Sequence, residues 1–155
     1  MDALGLRVGE KAVLNCRGTD DTLVGWKENF NMSFSAGVPS QLEAARYVNT
    51  AAEQLRGELA PCGHSKGGNL AVYSGAFCAP AHQERIKEIW NFDGPGFIKK
   101  VTEKQGYKAV SGRIRSYVTE SSAVGFLRVR GVDDTRVNSL HEGHSQQQPP
   151  SREVA

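Results

Sequence analysis

Residues 58–77 restrict the fold more tightly than any other part of the chain. Glu58-Leu59-Ala60-Pro61-Cys62 is a short apolar run, and Gly63-His64-Ser65-Lys66-Gly67 comes directly after it. Asn69-Leu70-Ala71-Val72-Tyr73-Ser74-Gly75-Ala76-Phe77 then reads as a small-residue helix. The central five residues fit G-x-S-x-G, the pattern of a serine on a sharp strand-to-helix turn with its hydroxyl pushed out over a sheet edge. A serine in that place is held in a strained backbone conformation. The glycines two before and two after it are required because a Cβ there collides with the neighbouring strand and helix. Pro61 is a blemish in a central strand, since it removes a ladder donor.

The segments around this turn alternate in type. Lys11-Ala12-Val13-Leu14-Asn15-Cys16 reads as a strand ending at a polar loop, Arg17-Gly18-Thr19-Asp20-Asp21. Residues 22–34 carry Leu23, Trp26, Phe30 and Phe34 at helical intervals, as a helix or a packed loop. After a break at Gly37-Val38-Pro39, Ser40 is expected to cap a helix with Glu43 three residues on. That helix sets Leu42, Ala45, Tyr47, Val48, Ala52 and Leu55 on one broad face and ends at Gly57. Residues 85–92 form the next expected strand, stopping at Asp93-Gly94-Pro95-Gly96. Residues 97–110 read as helical, and 113–118 as a further strand. This alternation predicts an α/β fold, a mostly parallel sheet with helices on both faces. Ligands in such sheets sit at the carboxyl ends of the strands, where Gly18, Ser65, Asp93 and Glu120 all fall.

A length of 155 residues suits one domain with a real core. The expected division is an α/β domain over 1–130 and a loosely ordered tail over 131–155, where the pattern dissolves into polar, Gln- and Pro-rich sequence. There is no internal repeat. A net charge of +2, with Lys99, Lys100, Lys104, Arg113 and Arg115 scattered, gives no footprint for nucleic acid. Cys16, Cys62 and Cys78 are odd in number and lack C-x-x-C spacing, which argues against disulfides or a metal site and for a reducing compartment. No signal peptide is evident and no apolar run nears the roughly 18 residues of a membrane span, so a cytoplasmic location is expected. The G-x-x-x-x-G-K-[ST] spacing is absent, and no cofactor is expected.

Three blocks carry a resemblance. Residues 17–34, the stretch Gly63-His64-Ser65-Lys66-Gly67-Gly68-Asn69-Leu70-Ala71, and Asn91-Phe92-Asp93-Gly94-Pro95-Gly96-Phe97 resemble the Mbeg-like α/β-hydrolase family. This is a largely uncharacterised bacterial family, distantly similar to class 3 lipases, and the likeness spans roughly residues 10–127. It implies a partial α/β-hydrolase fold and serine-hydrolase chemistry of the esterase/lipase type. A small-molecule acyl ester would react through an acyl-enzyme on Ser65. Arg17-Gly18-Thr19 looks like an oxyanion loop, with the main-chain N–H groups of Thr19 and Lys66 as the two donors. Each such donor accelerates acyl transfer by roughly 10²–10³. A serine also needs a histidine base, itself oriented by a carboxylate. Asp93 is the first choice for the acid, although it also reads as a turn residue. Glu120, where class 3 lipases place their aspartate, is the alternative. Asp20 and Asp21 suit caps of the following helix.

The base departs from the family pattern. Family members end in a stretch resembling Gly-x-x-Gln-His-Asp-Pro-x-Ser-Trp-Glu-Val, which here is Gly143 to Val154. Gln147 stands where the histidine is expected, Gln148 replaces the aspartate and Arg152 the tryptophan. Glutamine accepts no proton near neutral pH. His144 is the expected base and His141 the alternative. His64 is expected to pack beneath the turn as a core histidine, and His82 to lie on an exposed turn. Only residues 1–10 precede the first expected strand, so the chain reads as a possible fragment, truncated at the front with one strand edge uncovered. Cys16, where the related motif usually has Phe, adds to the divergence. A second reading follows, a catalytically impaired hydrolase-fold protein that binds a small acyl ligand or a protein partner.

Overall fold

Gly9, at φ +61°, turns the chain through a two-residue hairpin that the sequence pattern did not reveal. It joins β1 (Asp2–Val8) to β2 (Lys11–Arg17) in an unbroken antiparallel register. The edge of β2 expected to be bare is therefore covered, because Leu4, Leu6 and Val8 alternate as a strand requires. The computed structural model describes residues 2–18, 37–119 and 134–137. Within them the strands continue with β3 (Glu58–His64), β4 (Ile89–Phe92), β5 (Ile114–Thr119) and β6 (Asp134–Val137). The six lie in the sheet in chain order, and β2 to β6 are mutually parallel. The mostly parallel α/β sheet expected from the sequence is the one observed. β6 lies inside the segment expected to be a tail; a strand of four residues is held by its pairing with β5 rather than announced by a pattern.

The helices are α1 (Pro39–Gln54), α2 (Lys66–Phe77), α3 (Pro80–Gln83), α4 (Lys99–Thr102) and α5 (Gln105–Val110). Ser40 does not cap α1. Pro39, with its fixed φ, already occupies the first turn, and the N–H of Val38 donates to Gln41 Oε1 at 3.1 Å. The buried face of α1 is Gln41, Ala44, Ala45, Val48, Ala51 and Ala52, which leaves Leu42 exposed. The segment 85–92 yields only β4, preceded by an isolated bridge between Ile86 and Leu59. Arg85 spends its guanidinium on the carbonyls of Ala52, Leu55 and Gly57, tying down the end of α1. Residues 97–110 form two short helices instead of one. Pro61 is accommodated on similar grounds. Leu59 donates to the Arg85 carbonyl at 3.0 Å, so by strand alternation position 61 faces the same side, where β4 has not yet begun.

Because β2 to β6 advance across the sheet in one direction, right-handed crossovers place successive connections on the same side. The core follows that rule. Leu14, Leu59, Ile89 and Ile114 from the strands share one cluster with Val48, Leu70, Val72, Val101 and Val110 from four of the helices. The register places Leu6, Val13 and Ala60, then Leu4, Asn15, Cys62 and Trp90, then His64, Phe92 and Tyr117, on the opposite face. There Trp90 and Tyr117 stack in parallel with ring centres 5.9 Å apart. Of the helical cover expected on two faces, the described residues supply one. No helix among them is long and apolar enough to cross a membrane.

Candidate active site

Ser65 stands between β3 and α2 with φ 52° and ψ −123°, a backbone conformation that L-residues rarely adopt. Three main-chain bonds hold it there. Its N–H donates to the Phe92 carbonyl at 2.8 Å, and its own carbonyl accepts from Gly68 at 2.9 Å and Asn69 at 3.3 Å. The first pins the bend to β4 and the other two begin α2. The residue is exposed, above strands that are mostly buried.

Backbone contacts close the bend from below. A Cβ on Gly67 would fall on the Cys16 carbonyl oxygen, and one on Gly63 would meet the Gly67 carbonyl group as well as the Cys16 oxygen at 2.8 Å. A Cβ on Gly18 would lie 2.6 Å from that of Lys66. The end of β2 therefore abuts the first turn of α2 main chain to main chain, and Lys66, the first residue of that helix, is buried against it. These contacts bring Gly18 of the Arg17-Gly18-Thr19 segment to the bend. Thr19 itself lies outside the described residues, as do Glu120, His141 and His144.

Asp93 directly follows β4 with φ 51°, the second non-glycine residue at positive φ among those described. Its N–H donates to the Tyr117 carbonyl at 2.8 Å. Its carboxylate accepts from the Thr119 N–H at 2.9 Å and from the Thr119 hydroxyl at 3.0 Å. It thus joins the carboxyl ends of β4 and β5, the edge that also carries Ser65.

Buried polar groups that the sequence reading missed support the loop after Asp93. Gln41 Nε2 donates to Asn69 Oδ1 at 2.8 Å, and Asn69 Nδ2 donates to the Pro95 carbonyl at 2.9 Å. Asn91 Oδ1 accepts from the Gly94 N–H at 3.0 Å and its Nδ2 donates to Ser116 Oγ at 3.1 Å. Cβ atoms on Gly68 or Gly94 would occupy the position of Asn91 Oδ1. The Gly67-Gly68-Asn69 run after the serine was the available signal, an amide side chain at the head of a helix of mostly small and apolar residues.

The described histidines are not near this role. His64 is exposed at the end of β3 instead of packed in the core, because its register partner Phe92 lies on the open face of the sheet. His82 lies on α3, half-buried, where Nδ1 meets Asn49 Oδ1 at 2.9 Å. That oxygen also accepts from the Ala79 N–H, so the imidazole donates through Nδ1. The thiols are equally withdrawn. Burial, with the nearby Cys62 adding, pushes Cys16 up to about 12, and burial raises Cys62 and Cys78 as well. All three are free cysteines. Among the described residues no group of three or more His, Cys, Asp or Glu is placed to hold a metal ion.

Fold and bend together define a mostly parallel α/β protein that presents one serine from a strained turn at the carboxyl edge of its sheet. The model of the family described as Mbeg1-like matches residues 3–155, and the chain belongs to that family. No curated protein and no solved structure matches it.

Proposed function

We propose that the chain is a serine hydrolase of the esterase/lipase type that cleaves a small acyl ester through an acyl-enzyme. The observation that carries this reading is Ser65 at φ 52°, exposed at the head of α2 with its N–H tied to β4. In the proposed reaction Ser65 Oγ attacks the ester carbonyl while a histidine takes its proton. The tetrahedral oxyanion collapses, and the leaving alcohol departs with that proton. Water then attacks the acyl-serine by the same route, releasing the acid and restoring the hydroxyl. His144 is proposed as base, with His141 the alternative. Asp93 is proposed as acid, with Glu120 the alternative. The Thr19 and Lys66 main-chain N–H groups are proposed as oxyanion donors. A carboxylate has about four acceptor sites, so Asp93 can bond Thr119 twice and still take an imidazole N–H. The raised thiol of Cys62 leaves the serine as the better nucleophile near the bend.

Gln147, at the place where the family pattern has histidine, favours a second reading, an impaired hydrolase fold that binds an acyl ligand or a protein partner. A fluorophosphonate probe separates the two. Labelling that is lost in Ser65→Ala supports the hydrolase, and folded protein that takes no label supports the binding reading. Where hydrolysis is measured, His144→Ala is expected to abolish it while His141→Ala does not.

A further inference from the structure

We propose that β1 is a self-pairing edge, and that two copies of the chain join through it as antiparallel strands about a two-fold axis at Leu6. This goes beyond the hydrolase reading and does not rest on it. Among the described residues β1 is the terminal strand of the sheet. Its seven residues pair with β2 one to one, with no bulge, and contain neither proline nor lysine. Bulges, proline and lysine are among the devices that ordinarily stop an edge from pairing with another chain; of the charges that also serve, β1 carries Asp2 and Arg7. Leu4, Leu6 and Val8 are 63, 61 and 58% exposed, three large apolar side chains in a row on one face.

The sequence of β1 selects both the partner and the register. Opposed residues in an antiparallel pair point to the same face, so a two-fold axis normal to the sheet must pass through a residue position. With the axis at Leu6, Leu6 meets its own copy and Leu4 meets Val8 of the second chain. On the other face Arg7 lies opposite Gly5. An axis at Gly5 sets Val8 against Asp2, and one at Leu4 sets Leu6 against Asp2. An axis at Arg7 leaves Leu4 beyond the end of the paired strand. Only the Leu6 axis gives all three apolar side chains an apolar partner. Arg7 does not obstruct it, since its Nε donates to the Gly9 carbonyl of its own hairpin at 3.1 Å and the opposing Gly5 has no side chain. A strand complementary to itself in this way fits a second copy of this chain.

Sedimentation velocity on the full chain is expected to show a dimer at micromolar concentration. Leu6→Lys is expected to give a monomer with an unchanged circular dichroism spectrum, because Leu6 is exposed in the single copy. Cysteine pairs test the register independently of that variant's folding. Opposed Cα atoms lie about 4.5–5.5 Å apart, within disulfide reach. Leu6→Cys is therefore expected to cross-link on mild oxidation. Leu4→Cys is expected to do so only when combined with Val8→Cys. A monomeric wild type overturns the proposal. So does a dimer abolished by Phe92→Lys but not by Leu6→Lys, which puts the contact on the open sheet face. Cross-linking of Leu4→Cys alone in preference to Leu6→Cys overturns the register.

Discussion

Thr119 engages both oxygens of Asp93, its N–H at 2.9 Å and its hydroxyl at 3.0 Å. Two donors from one residue fix the plane of a carboxylate. If Asp93 serves as the acid, Thr119 is a positioning residue. Thr119→Val keeps the N–H and the shape but removes the hydroxyl. It is expected to lower kcat on an ester about tenfold with little change in KM, while Thr119→Ser restores it, as the loss of one half-buried hydrogen bond of about 1–2 kcal/mol predicts. An unchanged kcat removes the Thr119 hydroxyl from any positioning role, and a loss of thermal stability alone makes its bond purely structural.

Ser65 trades stability for its position. Positive φ at a non-glycine residue stores about 1–3 kcal/mol, while a glycine there loses about 0.5–1 kcal/mol of extra chain entropy on folding. The first effect wins. Ser65→Gly is expected to be about 1 kcal/mol more stable than Ser65→Ala in a denaturant titration, and both to be inactive. Equal midpoints would mean that the bend relaxes when the hydroxyl is removed.

Two glycines of opposite surroundings make a matched pair. A Cβ at Gly67 meets the Cys16 carbonyl, whereas one at Gly112 meets nothing within 4 Å. Backbone on backbone has no rotamer with which to escape. Gly67→Ala is expected to destabilise by about 1–3 kcal/mol or more. Gly112→Ala is expected to be neutral or to stabilise by up to about 1 kcal/mol through the unfolded chain. Chemical denaturation of the two variants checks both signs.

Stability is expected to fall in alkali through Cys16. Its thiol rises from 9.0 to about 12 on folding, so above pH 9 the unfolded chain releases a proton that the folded chain retains. The stabilising effect is complete below pH 9 and is lost as pH climbs towards 12. One such group contributes a slope of about 1.4 kcal/mol per pH unit in that window. Cys16→Ala is expected to be less stable at pH 7 yet flatter between pH 9 and 11, as read from urea midpoints at each pH. A parallel pair of curves would assign the alkaline loss to other groups.

The bend was legible because its five residues are contiguous and carry a fixed pattern, although the Cβ atoms barred at 63 and 67 would meet Cys16 on the neighbouring strand β2. The strand–helix alternation followed from periodicity. What escaped depends on partners distant in the chain. Val38 takes the N-cap in place of Ser40 because Pro39 already begins the helix, and the Gln41 amide that accepts from the Val38 N–H also reaches Asn69 across the core. β1 and β6 are too short or too plain to stand out, and become strands by pairing with β2 and β5. His64 looked like a core residue from its neighbours in sequence, yet the register turns it to the open face. Thr19, Glu120, His141 and His144 lie outside the described residues, so the family resemblance alone argues their roles.

The seam of Gly18, Gly63 and Gly67 separates the shape of the platform under Ser65 from the identity of many of the side chains nearby. Peptide groups touching peptide groups specify no particular neighbour, so substitutions in the surrounding loops leave the serine's pedestal standing. A chain can then lose a proton acceptor, as the binding reading proposes for position 147, and keep the perch of its serine intact.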